Sequence, residues 1–155
     1  MKIFVSGCYD ILHAGHAQFF KEAKEWGIAH LPKRNTGQVQ KVDLIVSYCS
    51  SANLLLYKGR HSSLPDDNKK ILLEAIRYID KVYKGTDDGG VWDFIPAFLE
   101  EKPDVLIVTE DDKHADEKAQ FCKEHGVKFV ILPKTLPPVT PTSTSEIRRK
   151  IRTAI

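Results

Sequence analysis

Apolar positions along this chain fall into two alternating rhythms. Five short runs are almost continuously apolar: Lys2 to Ser6 (KIFVS), Asp43 to Tyr48 (DLIVSY), Lys81 to Tyr83 (KVY), Asp104 to Val108 (DVLIV) and Val127 to Leu132 (VKFVIL). A strand with one wet face alternates. A run that does not is buried on both faces, as in a parallel sheet covered by helices. Between the runs the spacing changes to three and four. Phe19, Phe20, Ala23 and Trp26 mark a helix over Gly15 to Trp26, and Ile71, Leu72, Ala75, Ile76 and Ile79 make a stripe on Asp66 to Ile79. Further helices are predicted over Val91 to Glu101, Asp116 to His125 and Ser143 to Ile155. Strand alternating with helix predicts an α/β fold, doubly wound, with a five-stranded parallel sheet in one domain over residues 1–155.

Two stretches interrupt the rhythm. Ala29 to Gln40 is polar, with Pro32 and Gly37, and reads as a surface insertion near a ligand site or a subunit interface. Pro133 to Pro141 contains four prolines, which deny helix and favour a stiff extended path. The composition narrows the function classes. The chain has 155 residues, enough to bury a core in one domain, and its net charge is only +2. No strong field advertises nucleic acid or an anionic membrane, so any anion site must be local. Cys8, Cys49 and Cys122 show no metal-binding spacing and read as reduced thiols. No protein-held metal is expected. Met1 to Val5 runs straight into Ser6 and Gly7, too short for a leader, and no apolar run has the length of a membrane span. A soluble cytoplasmic protein is expected.

In an open parallel sheet, ligands collect beyond the carboxyl ends of the strands. The segment after the first strand reads Gly7-Cys8-Tyr9-Asp10-Ile11-Leu12-His13-Ala14-Gly15-His16. Gly7 leaves the backbone free for a tight turn, and a helix starting near Gly15 turns its unpaired N–H groups toward the crevice. His13 and His16 flank that start, three apart, and can address one anion together. A lone histidine there would be a local cap. Two histidines around a glycine, after a glycine loop, point to phosphate chemistry.

His13-Ala14-Gly15-His16 resembles the HxGH signature of the nucleotidyltransferase superfamily, and GCYDILHAGH is similar to the GTFDxxHxGH opening of its cytidylyltransferase-like branch. The resemblance implies a Rossmann-like fold and direct nucleotidyl transfer without a covalent enzyme intermediate. It also implies a Mg²⁺ ion carried by the nucleotide. Cys8 stands where that family usually has threonine. After the fifth strand, Ser143 and Glu146 have capping-box spacing. Ser143-Thr144-Ser145 with Ile147 is similar to the family's ISTTxI segment, which holds the β- and γ-phosphates. Lys134 stands for the arginine of the family's LPRTEG, without its bidentate fork.

The same resemblance implies catalytic roles for His13, His16 and Lys58, and nucleotide contacts at Gly7, Cys8, Tyr9, Gly15, Lys134, Ser143, Thr144 and Ser145. Acceptor contacts are implied at Asp10, Arg60, Asp111 and Asp112. Lys58 and Arg60 also suit a helix C-cap at Gly59, and Asp111 and Asp112 also suit a helix start. Asn68 falls where the family often has an arginine, and Trp92 reads either as a cover for the cleft or as packing.

The expected reaction is attack of an acceptor phosphate oxygen on the α-phosphorus of a nucleoside triphosphate, with pyrophosphate leaving. The nucleotide favoured by the motifs is CTP. ATP, with a sugar-phosphate or flavin-type acceptor, is the main alternative. The partners expected are that nucleotide, a small phosphorylated acceptor, and a second copy in a homodimer. A nucleotide sensor without turnover is a rival of another class, kept open by Cys8, Lys134 and Asn68 and opposed by the two histidines. A fragment of an aminoacyl-tRNA synthetase lacks support, since the chain has no KMSKS-like loop and little positive charge.

Overall fold

The computed structural model describes residues 1–32, 40–134 and 142–154. Five strands, β1 (Lys2–Gly7), β2 (Asp43–Tyr48), β3 (Lys81–Lys84), β4 (Val105–Thr109) and β5 (Lys128–Leu132), form one sheet in the order β3-β2-β1-β4-β5. Every neighbouring pair is parallel. The helices are α1 (Ala14–Ala29), α2 (Ser51–Lys58), α3 (Asp66–Glu74), α4 (Ile95–Glu101), α5 (Ala115–Glu124) and α6 (Thr144–Thr153). The α/β class and the five-stranded parallel sheet expected from the apolar runs are both present.

Both faces of the sheet are covered, which explains why its strands do not alternate. Ile3, Val5, Leu44, Val46, Val105 and Ile107 point to one side, where Phe19, Phe20 and Ala23 of α1 and Leu73 of α3 cover them. Phe4, Ile45 and Leu106 point to the other, against Phe94, Ala97 and Phe98 around α4 and Cys122 of α5. Edge strand β3 is only half-buried, and its run in the sequence is correspondingly short.

Two helices differ from their expected bounds. The stripe over Asp66 to Ile79 ends as α-helix at Glu74, and the chain leaves through tighter turns, with Ile76 N–H donating to Leu73 O at 3.1 Å and Ile79 N–H to Ile76 O at 3.0 Å. The segment expected as one helix from Val91 divides into a single 3₁₀ turn at Gly90–Trp92 and then α4. Pro96 stands in the first turn of α4, where its missing N–H has no partner to lose. Most of the polar insertion (33–39) and of the proline-rich stretch (135–141) lies outside the described residues. No helix among the described residues is long and apolar enough to cross a membrane.

Strand order reverses beside β1. The β1–β4 ladder covers only Ile3↔Val105 and Phe4↔Leu106, whereas β1–β2 continues to Gly7↔Tyr48 and β4–β5 to Thr109↔Leu132. Beyond Phe4 the two central strands part, and a crevice opens between their carboxyl ends at the topological switch point.

Close packing of α1 on the sheet requires a glycine at its far end. A Cβ on Gly27 would lie 2.7 Å from Val42 Cγ1 and closer still to Ile3 Cδ1, both core side chains. Alanine favours helix over glycine by about 1 kcal/mol, but overpacking a core costs about 1–3 kcal/mol. Gly27→Ala should therefore lower stability by about 1 kcal/mol, read as a reduced denaturant midpoint at unchanged m-value.

Candidate active site

The crevice is a cleft of about 910 Å³, at the upper end of the range for small-molecule sites. All the candidate residues of the sequence analysis line it: Gly7, Cys8, Tyr9, Asp10, His13, Gly15, His16, Lys58, Arg60, Asp111, Asp112, Lys134, Ser143, Thr144 and Ser145. They arrive from the ends of β1, α2, β4 and β5 and from the start of α6. Trp92 is not among them; it packs on Phe94 and Phe121, with ring centroids 5.9 and 5.4 Å away.

The first loop is built by close approaches that only glycine permits. Tyr9 has φ 44°, in the left-handed region, and its ring folds back over Gly7, where a Cβ would lie 2.8 Å from Tyr9 Cζ. His13 is the N-cap of α1, and its Nδ1 accepts from Gly15 N–H at 3.1 Å. That bond uses the Nδ1 lone pair, so the neutral ring carries its proton on Nε2 and keeps a donor to offer. His16 stacks on His13 with centroids 3.9 Å apart, and the Tyr9 ring meets His16 edge-on at 5.3 Å.

Burial lowers the pKa of both histidines. His16 falls to about 4, with the neighbouring His13 adding to the effect of burial. The pair is therefore neutral at neutral pH and acts through N–H donors, not as two cations. His16 Nδ1 is buried without a hydrogen-bond partner among the described residues. An orphaned buried nitrogen costs about 1–3 kcal/mol and is a mark of sites that a ligand completes. No acidic residue occupies the first turn of α1, so its positive end is not neutralised from within the protein.

The start of α6 lies against the same loop. Thr144 Oγ1 donates to Ile11 O at 3.3 Å, while Ser143 caps α6 by accepting from Glu146 N–H at 3.2 Å. The expected capping box thus supplies its serine half. Two helix N-termini consequently converge on one cleft.

Asp10 holds these parts together. It is 1% exposed, and its carboxylate accepts from Arg60 Nη1 at 2.5 Å, Arg148 Nη1 at 2.9 Å, Ser62 Oγ at 2.7 Å and Ser63 N–H at 2.5 Å. Burial alone would raise its pKa; the bonds from Ser62, Arg60 and the Ser63 backbone outweigh it and hold the carboxyl well below the usual range. Asp111 pairs with Lys134 at 3.1 Å and Asp112 with Lys118 at 2.7 Å. The three carboxylates read from the sequence as acceptor contacts all face the cleft, and all three already hold cations.

Arg148, Arg149 and Arg152 also line the cleft and were missed by the sequence analysis. Their signal is the spacing i, i+1, i+4 on a helix that begins in hydroxyl residues. Arg148 is committed to Asp10. No acidic partner stands at Arg149 or Arg152 among the described residues, and together with Lys58 they leave the cleft positive. Lys69, next to the Asn68 read as a lost arginine, is the buried cation of that region and donates to Cys49 O at 3.0 Å.

The titrations have a definite sign. The folded state resists protonating His16, whose pKa lies below the ordinary 6.5, so stability is lost as pH falls from about 6.5 to about 4. The ionised Asp10 adds stability above the ordinary carboxylate range, which is lost as pH falls below it. Chemical denaturation across pH 3–8 should show both windows, and His16→Gln should shrink the upper one to the part that His13 supplies. Asp10→Ala should cost about 2–3 kcal/mol, the scale for stranding partly buried donors, or roughly 5–10 °C in Tm for a chain of this size.

Comparisons with known proteins agree with this geometry. Residues 4–150 match the family model described as cytidylyltransferase-like. A FAD synthase of Pyrococcus horikoshii is 32% identical over 133 residues, covering 85% of this chain and 78% of the relative. A FAD synthase of Thermococcus kodakarensis is 29% identical over the same shares of the two chains, and one of Archaeoglobus fulgidus 31% identical over 72% of this chain and 66% of its own. The crystal structure of a lipopolysaccharide core biosynthesis protein from Thermoplasma volcanium superposes with a TM-score of 0.65 over 86% of this chain and 97% of the other, at 21% identity, a likeness of fold. A parallel sheet opening onto paired histidines, two converging helix starts and a family match over nearly its whole length together place this chain in the cytidylyltransferase-like family, as a nucleotidyltransferase enzyme.

Proposed function

We propose that this enzyme transfers the adenylyl group of ATP to the phosphate of FMN, forming FAD and releasing pyrophosphate. The observation that carries the reading is the match to FAD synthases at 29–32% identity, which spans up to 85% of the chain. The motifs by themselves favoured CTP. They describe how phosphates are held, and phosphates are common to CTP and ATP, so the relatives move the preference to ATP and a flavin acceptor.

In this reading an FMN phosphate oxygen attacks the α-phosphorus of ATP in line. A new P–O bond forms as the bond to the β-phosphate oxygen breaks, and pyrophosphate departs. The protein needs no nucleophile. Its work is to hold two polyanions together and to meet the charge that grows on the α-phosphoryl oxygens. The Nε2–H of His13, the His16 ring and the open start of α1 would face the α-phosphoryl group. The hydroxyls of Thr144 and Ser145 and the N–H groups of α6 would hold the leaving pyrophosphate. Lys58, beside Cys8, together with Arg149 and Arg152, which have no acidic partner among the described residues, would take the acceptor phosphate. Among the described residues no cluster of His, Cys, Asp or Glu is suited to hold a metal ion. A Mg²⁺ ion would be held by the phosphates it arrives with, where it supplies charge neutralisation.

The test is a pyrophosphate-release screen in which ATP and CTP are each paired with FMN and with sugar and polyol phosphates. Pyrophosphate should appear with ATP and FMN together, with quenching of flavin fluorescence as FAD forms. Turnover only with CTP and a sugar or polyol phosphate would restore the first preference. Tight nucleotide binding with no turnover on any acceptor would leave a sensor. His16→Ala should lower kcat by about 10²–10³, the scale for removing one charge-stabilising donor, with a smaller change in nucleotide affinity. Thr144→Ala should raise the KM for ATP more than it lowers kcat, because the β- and γ-phosphates are already charged in the ground state. Near-normal kcat in His16→Ala would make that ring structural.

A further inference from the structure

β1 and β2 run parallel in register as far as Gly7↔Tyr48, and the next residue on each strand is a cysteine. Cys49 N–H donates to Gly7 O at 2.9 Å, which keeps the two chains paired through this step and sets Cys8 beside Cys49. The two thiols differ in environment. Cys8 is partly exposed and lines the cleft, close to Lys58. Cys49 is 7% exposed and lies behind it, its Sγ 3.5 Å from Ser50 O and accepting from Asn53 Nδ2 at 3.4 Å. The third cysteine, Cys122, is fully buried in the core on one face of the sheet, away from the cleft.

The electrostatics separate the pair further. The Cys49 thiol lowers the Cys8 pKa most, against the opposing effect of burial, and Lys58 and then Arg60 lower it more. The Cys8 sulfur as acceptor, burial and the buried Asp93 carboxyl push Cys49 up. Reactive thiols have this signature: thiolate character, some exposure and cations nearby, with a protonated thiol within reach. In the family signature a threonine usually takes the place of Cys8. Threonine could serve the backbone contact, but it cannot be oxidised in this way.

We propose that Cys8 is an oxidisable thiol at the floor of the nucleotide cleft and that Cys49 is its resolving partner, so that a hydroperoxide converts them to a disulfide that shuts the site. In the first step the Cys8 thiolate attacks the outer oxygen of the hydroperoxide. An S–O bond forms, the O–O bond breaks, and the alkoxide or hydroxide released takes a proton from water; Cys8 becomes a sulfenic acid. In the second step the Cys49 sulfur attacks the Cys8 sulfur, an S–S bond forms, and the hydroxyl leaves as water with the Cys49 proton. Two thiols lose two electrons and the hydroperoxide gains them. A dithiol reductant reverses the change. The disulfide draws the Cys8 sulfur away from Lys58 and toward β2, and displaces the loop whose backbone meets the nucleotide.

The test begins with the reduced full-length protein and a modest excess of hydrogen peroxide. Thiol titration after denaturation should fall from three to one, and peptide mass spectrometry should show Cys8 joined to Cys49 with Cys122 free. Iodoacetamide at neutral pH should alkylate Cys8 at least tenfold faster than Cys49 or Cys122. Pyrophosphate release should fall at least tenfold on treatment and return with dithiothreitol; this arm alone rests on the proposed adenylyl transfer. Cys49→Ser should form no disulfide, and its Cys8 should be trapped by dimedone as the sulfenic acid. Three thiols remaining after peroxide, a disulfide through Cys122, or oxidised protein with undiminished turnover would each overturn the proposal. An enzyme that is inactive before treatment, yet still forms the Cys8–Cys49 disulfide, would refute the flavin reading and leave the thiol chemistry standing.

Discussion

A carboxylate that is only 1% exposed must be met by donors on every side, and at Asp10 those donors come from two distant parts of the chain. Arg60, Ser62 and Ser63 belong to the segment between α2 and α3, and Arg148 to α6. The burial of one charge at the end of β1 thus determines where the second strand's loop and the last helix must lie. It also determines which arginines remain available. Arg60 and Arg148 are held at the rim of the cleft by a partner inside the protein, while Arg149 and Arg152, on the same helix, are left to face solvent or a substrate.

The remainder of the site follows from strand geometry and helix polarity. Because β1 and β4 pair only as far as Phe4 and Leu106, there is room beyond them for two helix N-termini. The start of α1 enters from one side with no acidic residue in its first turn, and the start of α6 is tied to it through Thr144 and Ile11. Within this frame the histidines are poorly hydrated and stay neutral. A neutral imidazole whose Nδ1 already caps a helix has a fixed tautomer and a fixed orientation. It can meet growing negative charge without first losing a proton or turning, the condition under which hydrogen-bond donors are most useful in a transition state.

Much of this was legible in the order of residues. Runs such as DLIVSY and DVLIV announced strands buried on two faces, because a side chain of either parity must then be apolar. Gly7, His13, Gly15 and His16 announced a tight turn into a capped helix start at the rim of a cleft, because close backbone approaches demand glycine and helix starts demand caps. Ser143 with Glu146 announced the start of α6. These are local rules, and local rules survive in a linear text. Helix bounds were less legible: the apolar stripe of Asp66 to Ile79 continues past Glu74, but the backbone there tightens into turns that an apolar pattern does not distinguish from helix.

The order of residues sufficed for the class of fold and for bringing the candidate site residues to the strand ends, since each depends on residues within about one turn or one strand of each other. How charges are shared, by contrast, follows from the folded arrangement. Asp10, Asp111 and Asp112 look alike on the page as open carboxylates; in the fold each is closed by a cation, two of them by partners 50 and 138 or 23 positions away. Cys8 and Cys49 are separated by 41 positions and become neighbours only through the β1–β2 register. Coulomb attraction and hydrogen bonding act over a few ångströms of space with no regard for chain distance, so the pairing of distant polar groups, and with it the state of the site, is settled only when the chain has folded.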